Sequence, residues 1–183
     1  MLGLAGAPGA GKSTVALALC AALPGRAVVV PMDGFHLANS ELVRLGRAGR
    51  KGAPDTFDSA GFAALLRRLR TQPRDELVYA PDFRRELDEA VAGAIAVPGD
   101  IELVITEGNY LLLGQGAWAD ARAQLDAVWY IDIDAALRRE RLVARHMRFG
   151  RSAEEAQRWV AQTDEPNALL VEAGRAGADL VLA

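Results

Sequence analysis

The sequence predicts an α/β fold built on a mainly parallel five-stranded sheet. Short apolar runs alternate with longer amphipathic segments along the chain. The apolar runs are mostly continuous, which is typical of strands covered by helices on both faces. In addition, the glycine-rich segment GAPGAGKST joins the first apolar run to the first amphipathic one. These observations favour a parallel sheet with helices on its two faces.

The individual elements follow from the local pattern. The predicted strands cover residues 2–5, 27–31, 102–107, 127–132 and 178–182. The predicted helices cover residues 12–22, 37–45, 59–71, 134–149 and 152–162. Asp58 and Ser59 provide a cap at the start of the third helix. Residues 46–58 form the one polar, glycine-containing loop that is long enough to have a function of its own.

Length and composition exclude several classes of protein. The chain has 183 residues, so we expect a single domain over residues 1–183. A net charge of −3 provides no basic field, and we expect no nucleic-acid partner. The single cysteine, Cys20, excludes an internal disulfide. No apolar run approaches the roughly 20 residues of a membrane span, so we expect a cytoplasmic protein without a membrane partner. A homodimer and a monomer both stay open.

The segment Gly6–Thr14 fits the pattern G-x-x-x-x-G-K-[ST] between a strand and a helix. Its glycines let backbone N–H groups turn toward phosphates, and the helix N-terminus favours an anion. Lys12 would reach the β- and γ-phosphates, and Ser13 would offer its hydroxyl to Mg²⁺. The segment therefore predicts a three-layer P-loop NTPase fold. The candidate nucleotide-binding residues are Gly6, Ala7, Pro8, Gly9, Ala10, Gly11, Lys12, Ser13 and Thr14.

Two further features favour ATP and Mg²⁺. Guanine-specific GTPases usually carry an Asn-Lys-x-Asp signature, but neither Lys12 nor Lys51, the only lysines, follows an asparagine. ATP is therefore the expected nucleotide. Glu107 ends the apolar strand ELVITE, where an acidic residue beside the phosphate loop helps to hold Mg²⁺ or its waters. The alternative is that Glu107 caps the segment that follows it.

The stretch VVVPMDGFHL places Asp33 directly after a buried strand. Ligands gather at the carboxyl ends of parallel strands, so Asp33 and Glu107 should lie at the same edge as the phosphate loop. A hydroxyl nucleophile needs a proton acceptor, and a carboxylate is the usual one in phosphoryl transfer. Asp33 is thus a candidate base. The alternative, a residue of the turn, is equally compatible with its spacing.

These segments, together with RKGAPDTFD, TEGNYLLL and DEPNALLVEAGRAGADLVL, resemble the P-loop kinases of the pantothenate kinase, uridine kinase and phosphoribulokinase group. The chain is most similar to the branch named nucleoside/nucleotide kinase family or fructose transport system kinase. The resemblance covers almost the whole chain. It implies an ATP- and Mg²⁺-dependent kinase with a mobile lid.

The resemblance also implies roles for individual residues. Asp33 matches the catalytic base, Lys12 and Ser13 match the phosphate and magnesium residues, and Glu107 matches the acid near the metal. Further residues correspond to two regions of the relatives. One is the region around the phosphate acceptor, and the other is a C-terminal segment that lines the substrate or adenine site. These candidate substrate contacts are Asp33, His36, Arg50, Lys51, Asn109 and Asn167, with Arg175 in the same C-terminal segment.

The chain departs from the pattern of its relatives at two places. Relatives often read P-x-F-D-R where this chain reads PDFRR, so Arg84 replaces an acidic residue. Met1 also lies almost on the first strand, whereas relatives usually carry more chain before it. We therefore expect a shortened start.

The stretch LRRERLVARHMRFGR contains six arginines, and it matches the lid of the kinase group, at about residues 134–152. Arg138, Arg141, Arg145 and Arg148 fall within an arc of about 80° on a helix. A guanidinium stripe of this kind can neutralise the transferring phosphoryl group. We expect Arg141 and Arg145 to be catalytic, with His146 as a weaker candidate. The alternative is a solvated face that pairs with nearby glutamates.

The sequence as a whole predicts an ATP-dependent kinase that acts on a hydroxyl of a small metabolite, which is pantothenate-, nucleoside- or sugar-like. Asp33 would accept the hydroxyl proton while Lys12, Mg²⁺ and the lid arginines hold the phosphates. The alternative is a nucleotide-binding regulatory module with weak ATP hydrolysis. Asp33 distinguishes the two, because a regulatory switch has no need of a base beside an acceptor.

Overall fold

A parallel five-stranded sheet lies at the centre of the computed structural model, which describes all residues from Met1 to Ala183. Its strands are β1 (Leu2–Ala5), β2 (Ala27–Pro31), β5 (Leu103–Gly108), β6 (Ala127–Ile131) and β7 (Leu180–Leu182). The strand order is β2-β5-β1-β6-β7, and every neighbouring pair is parallel. The predicted parallel sheet is confirmed.

Helices cover both faces of this sheet. They are α1 (Lys12–Ala22), α2 (Asn39–Arg44), α3 (Ser59–Arg70), α4 (Gly116–Arg122), α5 (Ala135–Arg148), α6 (Ala153–Trp159) and α7 (Glu165–Ala173). Along β1, Leu2 and Leu4 pack with Ala16 of α1 on one face. Ala5 points to the other face and joins the core that α3, α4 and α7 close. The alternation along β1 thus produces three layers. None of the helices combines the length and the apolar character needed to cross a bilayer.

An antiparallel hairpin, β3 (Leu77–Arg84) and β4 (Glu89–Pro98), stands beside the sheet. The sequence analysis did not predict it. Its inner side chains, Val78 and Val97, are fully buried and join Val30 of β2 in a third apolar cluster. This packing holds the hairpin close to the end of β2.

Several predicted boundaries need correction. The predicted helix 37–45 is only Asn39–Arg44, and the predicted strand 178–182 is only Leu180–Leu182. The predicted helix 152–162 continues instead through a π-helical turn, Val160–Asp164, into α7. Helix α4 was not predicted.

Side-chain caps define three helix starts. The carboxylate of Asp58 accepts from Gly61 N at 2.8 Å before α3, as predicted from the sequence. Asp134 accepts from two backbone N–H groups at the start of α5, each at 2.9 Å. Ser152 and Glu155 form a capping box at α6.

Candidate active site

The phosphate-loop segment runs from β1 to α1 at the carboxyl edge of the sheet. Gly9 and Gly11 have φ values of 81° and 95°, which favour glycine. A Cβ atom at Gly9 would lie 2.8 Å from Cγ of Leu142, so the missing side chain also lets α5 pack on the loop. Gly11 is the N-cap of α1, which leaves the first N–H groups of this helix available to an anion.

Lys12 is buried and lies across its own loop. Its Nζ donates to Gly6 O at 2.9 Å, to Ala7 O at 3.0 Å and to Asn109 Oδ1 at 2.7 Å. Burial lowers the pKa of Lys12 to about 8, although the carboxylates of Glu107 and Asp33 oppose the shift. The ammonium is thus held at the end of β5 by a hydrogen bond to Asn109.

Ser13 and Glu107 meet beside this lysine. Ser13 Oγ donates to Glu107 Oε1 at 2.8 Å, and Glu107 is only 7% exposed. Burial, followed by the negative charge of Asp33, raises the pKa of Glu107, while Lys12 opposes the shift. Two acidic groups close to one another favour a cation between them. The sequence left two roles open for Glu107, a metal site or a cap of the following segment. The hydrogen bond to Ser13 favours the first role, because it connects Glu107 to the phosphate loop.

Asp33 lies in a short 3-10 helix, Met32–Phe35, that follows β2. Its carboxylate faces the same cleft as Lys12 and Glu107, and its Oδ2 is 3.6 Å from Nη2 of Arg85. The next residue, Gly34, allows this approach, because a Cβ atom there would lie 2.4 Å from Pro81 O of the hairpin. Asp33 and Gly34 therefore form a turn, and this turn places the carboxylate of Asp33 in the cleft.

His36 lines the cleft beside Asp33. The ring lies 4.0 Å from the centroid of Phe57 and 4.7 Å from that of Phe83. Burial lowers the pKa of His36, so the neutral ring can donate from Nδ1 to Asp33 O at 2.8 Å. This contact fixes the backbone that carries Asp33.

The two basic residues predicted to face the acceptor take different positions. Lys51 lines the cleft, but its Nζ donates to Asn39 Oδ1 at 2.7 Å and to Asp88 Oδ2 at 2.9 Å. Arg50 is outside the cleft lining, because it pairs with Asp55, five residues later, at 2.6 Å. The predicted substrate contact of Arg50 stays a prediction, with its guanidinium engaged in this local ion pair.

The arginine stripe on α5 divides into three environments. Arg138 is buried and pairs with Glu165 of α7, so it anchors the helix. Arg141 and Arg145 line the cleft, whereas Arg148 is exposed and does not. Burial, and next the positive charge of Arg85, lowers the pKa of Arg145. The residues singled out from the sequence are thus the two that reach the cleft.

The rest of the cleft lining comes from the end of α5 and from helices α6 and α7. Asn167 is only 8% exposed and lines the cleft, as does His146, whose Nε2 is 2.8 Å from Asp164 Oδ2. Arg151 stacks on Trp159 with its guanidinium carbon 3.9 Å from the ring centroid. Arg175 does not line the cleft. It pairs instead with Asp132 at 2.6 Å.

The resulting cleft has a volume of about 960 Å³, which is large enough for a nucleotide and a small acceptor together. Sequence reasoning assigned no role to part of its lining, because these residues carry no chemical signal of their own or come from the unpredicted hairpin. They include Asn39, Phe83, Arg85, Asp88, Phe149, Trp159 and Asp164.

Comparisons with known proteins show related chains. A Schizosaccharomyces pombe protein named "Putative uridine kinase" is 35% identical over 193 aligned residues, which cover 100% of this chain and 82% of the relative. A pantothenate kinase of Leifsonia xyli is 30% identical over 149 residues, or 71% of this chain and 46% of the relative. No protein-family model matches.

A solved structure is also similar over the whole chain. The crystal structure of a "putative fructose transport system kinase" from Silicibacter sp. TM1040 has a TM-score of 0.89 and 40% sequence identity. The similarity covers 100% of this chain and 88% of that structure.

Proposed function

Because the chain belongs to the family of P-loop small-molecule kinases, we propose that it transfers the γ-phosphoryl group of ATP to a hydroxyl of a small metabolite. The whole chain, residues 1–183, would act as one kinase domain with residues 134–152 as its lid. The acceptor would be pantothenate-, nucleoside- or sugar-like.

One observation carries this proposal. The carboxylate of Asp33 lies in the same cleft as the phosphate-loop residues, and it is not buried. Its charge acts on both Lys12 and Glu107, so it lies near the groups that would surround the γ-phosphate. A proton acceptor next to a phosphate loop suits an alcohol as the nucleophile.

The donor set fits Mg²⁺. The hydroxyl of Ser13 and the carboxylate of Glu107 are oxygen donors, and Mg²⁺ is usually held by one or two carboxylates together with substrate phosphates. The raised pKa of Glu107 reflects burial beside a second carboxylate, and a cation would relieve that repulsion. When bound, the ion would supply positive charge to the phosphate oxygens.

The residues of the chain then have separate tasks. Lys12 would hold the β- and γ-phosphates, with Asn109 orienting it. Arg141 and Arg145 would offset charge on the transferring group. The acceptor oxygen forms a bond to phosphorus as the bond to the ADP oxygen breaks, and Asp33 takes the proton of the hydroxyl.

Three residues are proposed as acceptor contacts. His36 and Lys51 line the cleft on the side of Asp33, and Asn167 lines it from α7. Lys51 is also bonded to Asp88 of the hairpin turn, so it would shape the acceptor site more than it would bind a free anion. Arg50 is left out of the proposed site for the reason given above.

The alternative is a regulatory module that hydrolyses ATP slowly. The named kinases among the relatives and the placement of Asp33 favour the enzyme over this alternative. A regulatory module has no need of a proton acceptor for the hydroxyl of a second substrate.

A screen of acceptors tests the proposal. ATP, Mg²⁺ and a panel of small alcohols, including sugars, nucleosides, hydroxy acids and pantothenate, are incubated with the protein, and ADP release is coupled to an optical signal. We expect at least one acceptor to raise ADP release well above the rate with water alone, and Lys12→Ala to abolish the increase. ADP release that no acceptor stimulates would support the regulatory module.

A further inference from the structure

Arg85 extends into the cleft from the hairpin rather than from the lid. It is the first residue of the turn after β3, and its guanidinium lines the cleft. Its nearest carboxylate in the protein is that of Asp33. Nη2 of Arg85 lies 3.6 Å from Asp33 Oδ2, which is longer than a hydrogen bond. The donors of this guanidinium therefore remain free to bind an anion.

A second guanidinium lines the same cleft from a different element. Arg145 of α5 is half-buried, makes no ion pair with the protein and lines the same cleft. Burial is the largest cause that lowers the pKa of Arg145, and the positive charge of Arg85 is the second. Two arginines that line one cleft from different elements repel each other unless an anion lies between them.

The position of Arg85 relative to the phosphate groups identifies this anion. The cleft that it lines is also lined by Lys12 and Ser13 of the phosphate loop and by Glu107 of the proposed metal site. Arg85 thus shares the cleft with the groups that would hold the γ-phosphate, and it lies beside Asp33.

We propose that Arg85 is a further catalytic residue, which binds the transferring phosphoryl group from the acceptor side while Arg145 binds it from the lid. This inference rests on the proposed kinase function. The group carries its charge on three equatorial oxygens, and planar guanidinium groups on two sides can neutralise that charge. No proton moves to or from Arg85, and Asp33 stays free to accept the proton of the hydroxyl.

The competing explanation is that Arg85 binds an anionic group of the acceptor. Both explanations place an anion on Arg85, but they differ in what happens without an acceptor. A phosphoryl contact must also support transfer to water, whereas an acceptor contact must not. Hydrolysis of ATP in the absence of an acceptor therefore separates them.

The experiment compares Arg85→Ala with Arg84→Ala. The control is closely matched, because Arg84 is the preceding residue, is 47% exposed against 43% for Arg85, and contacts Asp82 at 3.5 Å in the same way that Arg85 contacts Asp33. Arg84 does not line the cleft. Basal ATP hydrolysis and the affinity for ADP with Mg²⁺ and aluminium fluoride are measured for both variants.

We expect Arg85→Ala to lower basal hydrolysis and the affinity for the aluminium fluoride complex by on the order of 10²–10³-fold, the usual effect of removing one charge-stabilising donor. ATP affinity should change by less than about threefold, because the contact forms mainly in the transition state. Added guanidinium should restore part of the hydrolysis in Arg85→Ala. Arg84→Ala should behave as the parent protein.

Three results would overturn the inference. Unchanged hydrolysis with a higher KM for an anionic acceptor would make Arg85 an acceptor-binding residue. A loss in Arg85→Ala that guanidinium does not restore, together with a lowered Tm, would make it structural. Equal losses of hydrolysis in Arg85→Ala and Arg84→Ala would also make the role of Arg85 structural. Failure of the kinase proposal is seen separately, as a parent protein that no acceptor stimulates.

Discussion

Ser13 Oγ donates a hydrogen bond of 2.8 Å to Glu107 Oε1, which joins the first turn of α1 to the carboxyl end of β5. The two residues are 94 positions apart in the chain. Their contact follows from the pairing of β1 with β5, which aligns Leu4 with Glu107. The sheet register thus brings a hydroxyl and a carboxylate together at the phosphate loop, where Mg²⁺ would bind.

Glu107→Gln should weaken Mg²⁺ binding during ATP turnover without destabilising the fold. Glutamine keeps the shape of the side chain and removes its charge, so the Mg²⁺ concentration for half-maximal ATP turnover should rise by roughly 10–100-fold. Because burial raises the pKa of Glu107, its charge does not stabilise the fold, and Tm at pH 7 should not fall. The matched control is Glu102→Gln, an exposed residue of the same chain segment that pairs with Arg26. An unchanged Mg²⁺ requirement would remove Glu107 from the metal site.

Binding of ATP should take up a proton above about pH 8. Burial lowers the pKa of Lys12 to about 8, so the free protein loses this proton as the pH rises through that value. Phosphates favour the charged form and raise the pKa in the complex. Affinity should therefore be constant below pH 8 and fall above it. Calorimetry in buffers of different ionisation enthalpy measures the uptake, and Lys12→Met should abolish it. Equal proton uptake in Lys12→Met would assign the titration to another group.

Gly34→Ala should destabilise the protein and disturb the position of Asp33. The added Cβ would lie 2.4 Å from Pro81 O, so the hairpin must move. We expect the free energy of unfolding to fall by about 1–3 kcal/mol, measured by denaturant unfolding. Gly49→Ala is the control, because a Cβ there meets no atom within 4 Å. Similar stability of the two variants would show that the hairpin accommodates the methyl group.

The central sheet and the phosphate loop could be predicted from the sequence because their signals are local. Strand β2 and helix α1 have the predicted bounds, since continuous valines and a glycine-rich turn leave few alternatives. The positions of Asp33 and Glu107 at one edge follow from the same topology.

The hairpin was missed because its signals are mixed. Strand β3 contains Pro81 and ends in charged residues, which argue against a strand. Alternation of exposed and buried residues is confined to its first half. Arg85 could not be placed, because its approach to Asp33 spans 52 positions and depends on a hairpin packed beside β2. The local pair of Arg50 with Asp55, in contrast, could have been found from spacing alone.

The lid should move only in part. Arg138 is tied to Glu165, and Leu142 packs against Gly9, so the first half of α5 is fixed to α7 and to the phosphate loop. We expect hydrogen exchange to slow over residues 143–151 when a non-hydrolysable ATP analogue and Mg²⁺ are added. The first half of α5 should exchange at the same rate with and without nucleotide. Unchanged exchange throughout 134–152 would contradict a nucleotide-ordered lid.

Asp33→Asn should separate binding from transfer. Asparagine is nearly isosteric, and the proposed phosphate contacts lie elsewhere, so ATP affinity should be nearly unchanged. Transfer to the acceptor should fall by roughly 10²–10⁴-fold, the usual contribution of a positioned base, or by less if the proton leaves late in a loose transition state.

The matched control is Asp82→Asn, because Asp82 is 31% exposed against 30% for Asp33 and also lies beside an arginine, yet it does not line the cleft. Loss of ATP binding together with transfer in Asp33→Asn would make Asp33 a magnesium ligand. Full transfer to a true acceptor would reduce it to a turn residue held by His36. A loss of transfer alone, absent from Asp82→Asn, is the result that a base at this position requires, because the hydroxyl proton is removed in the transfer step.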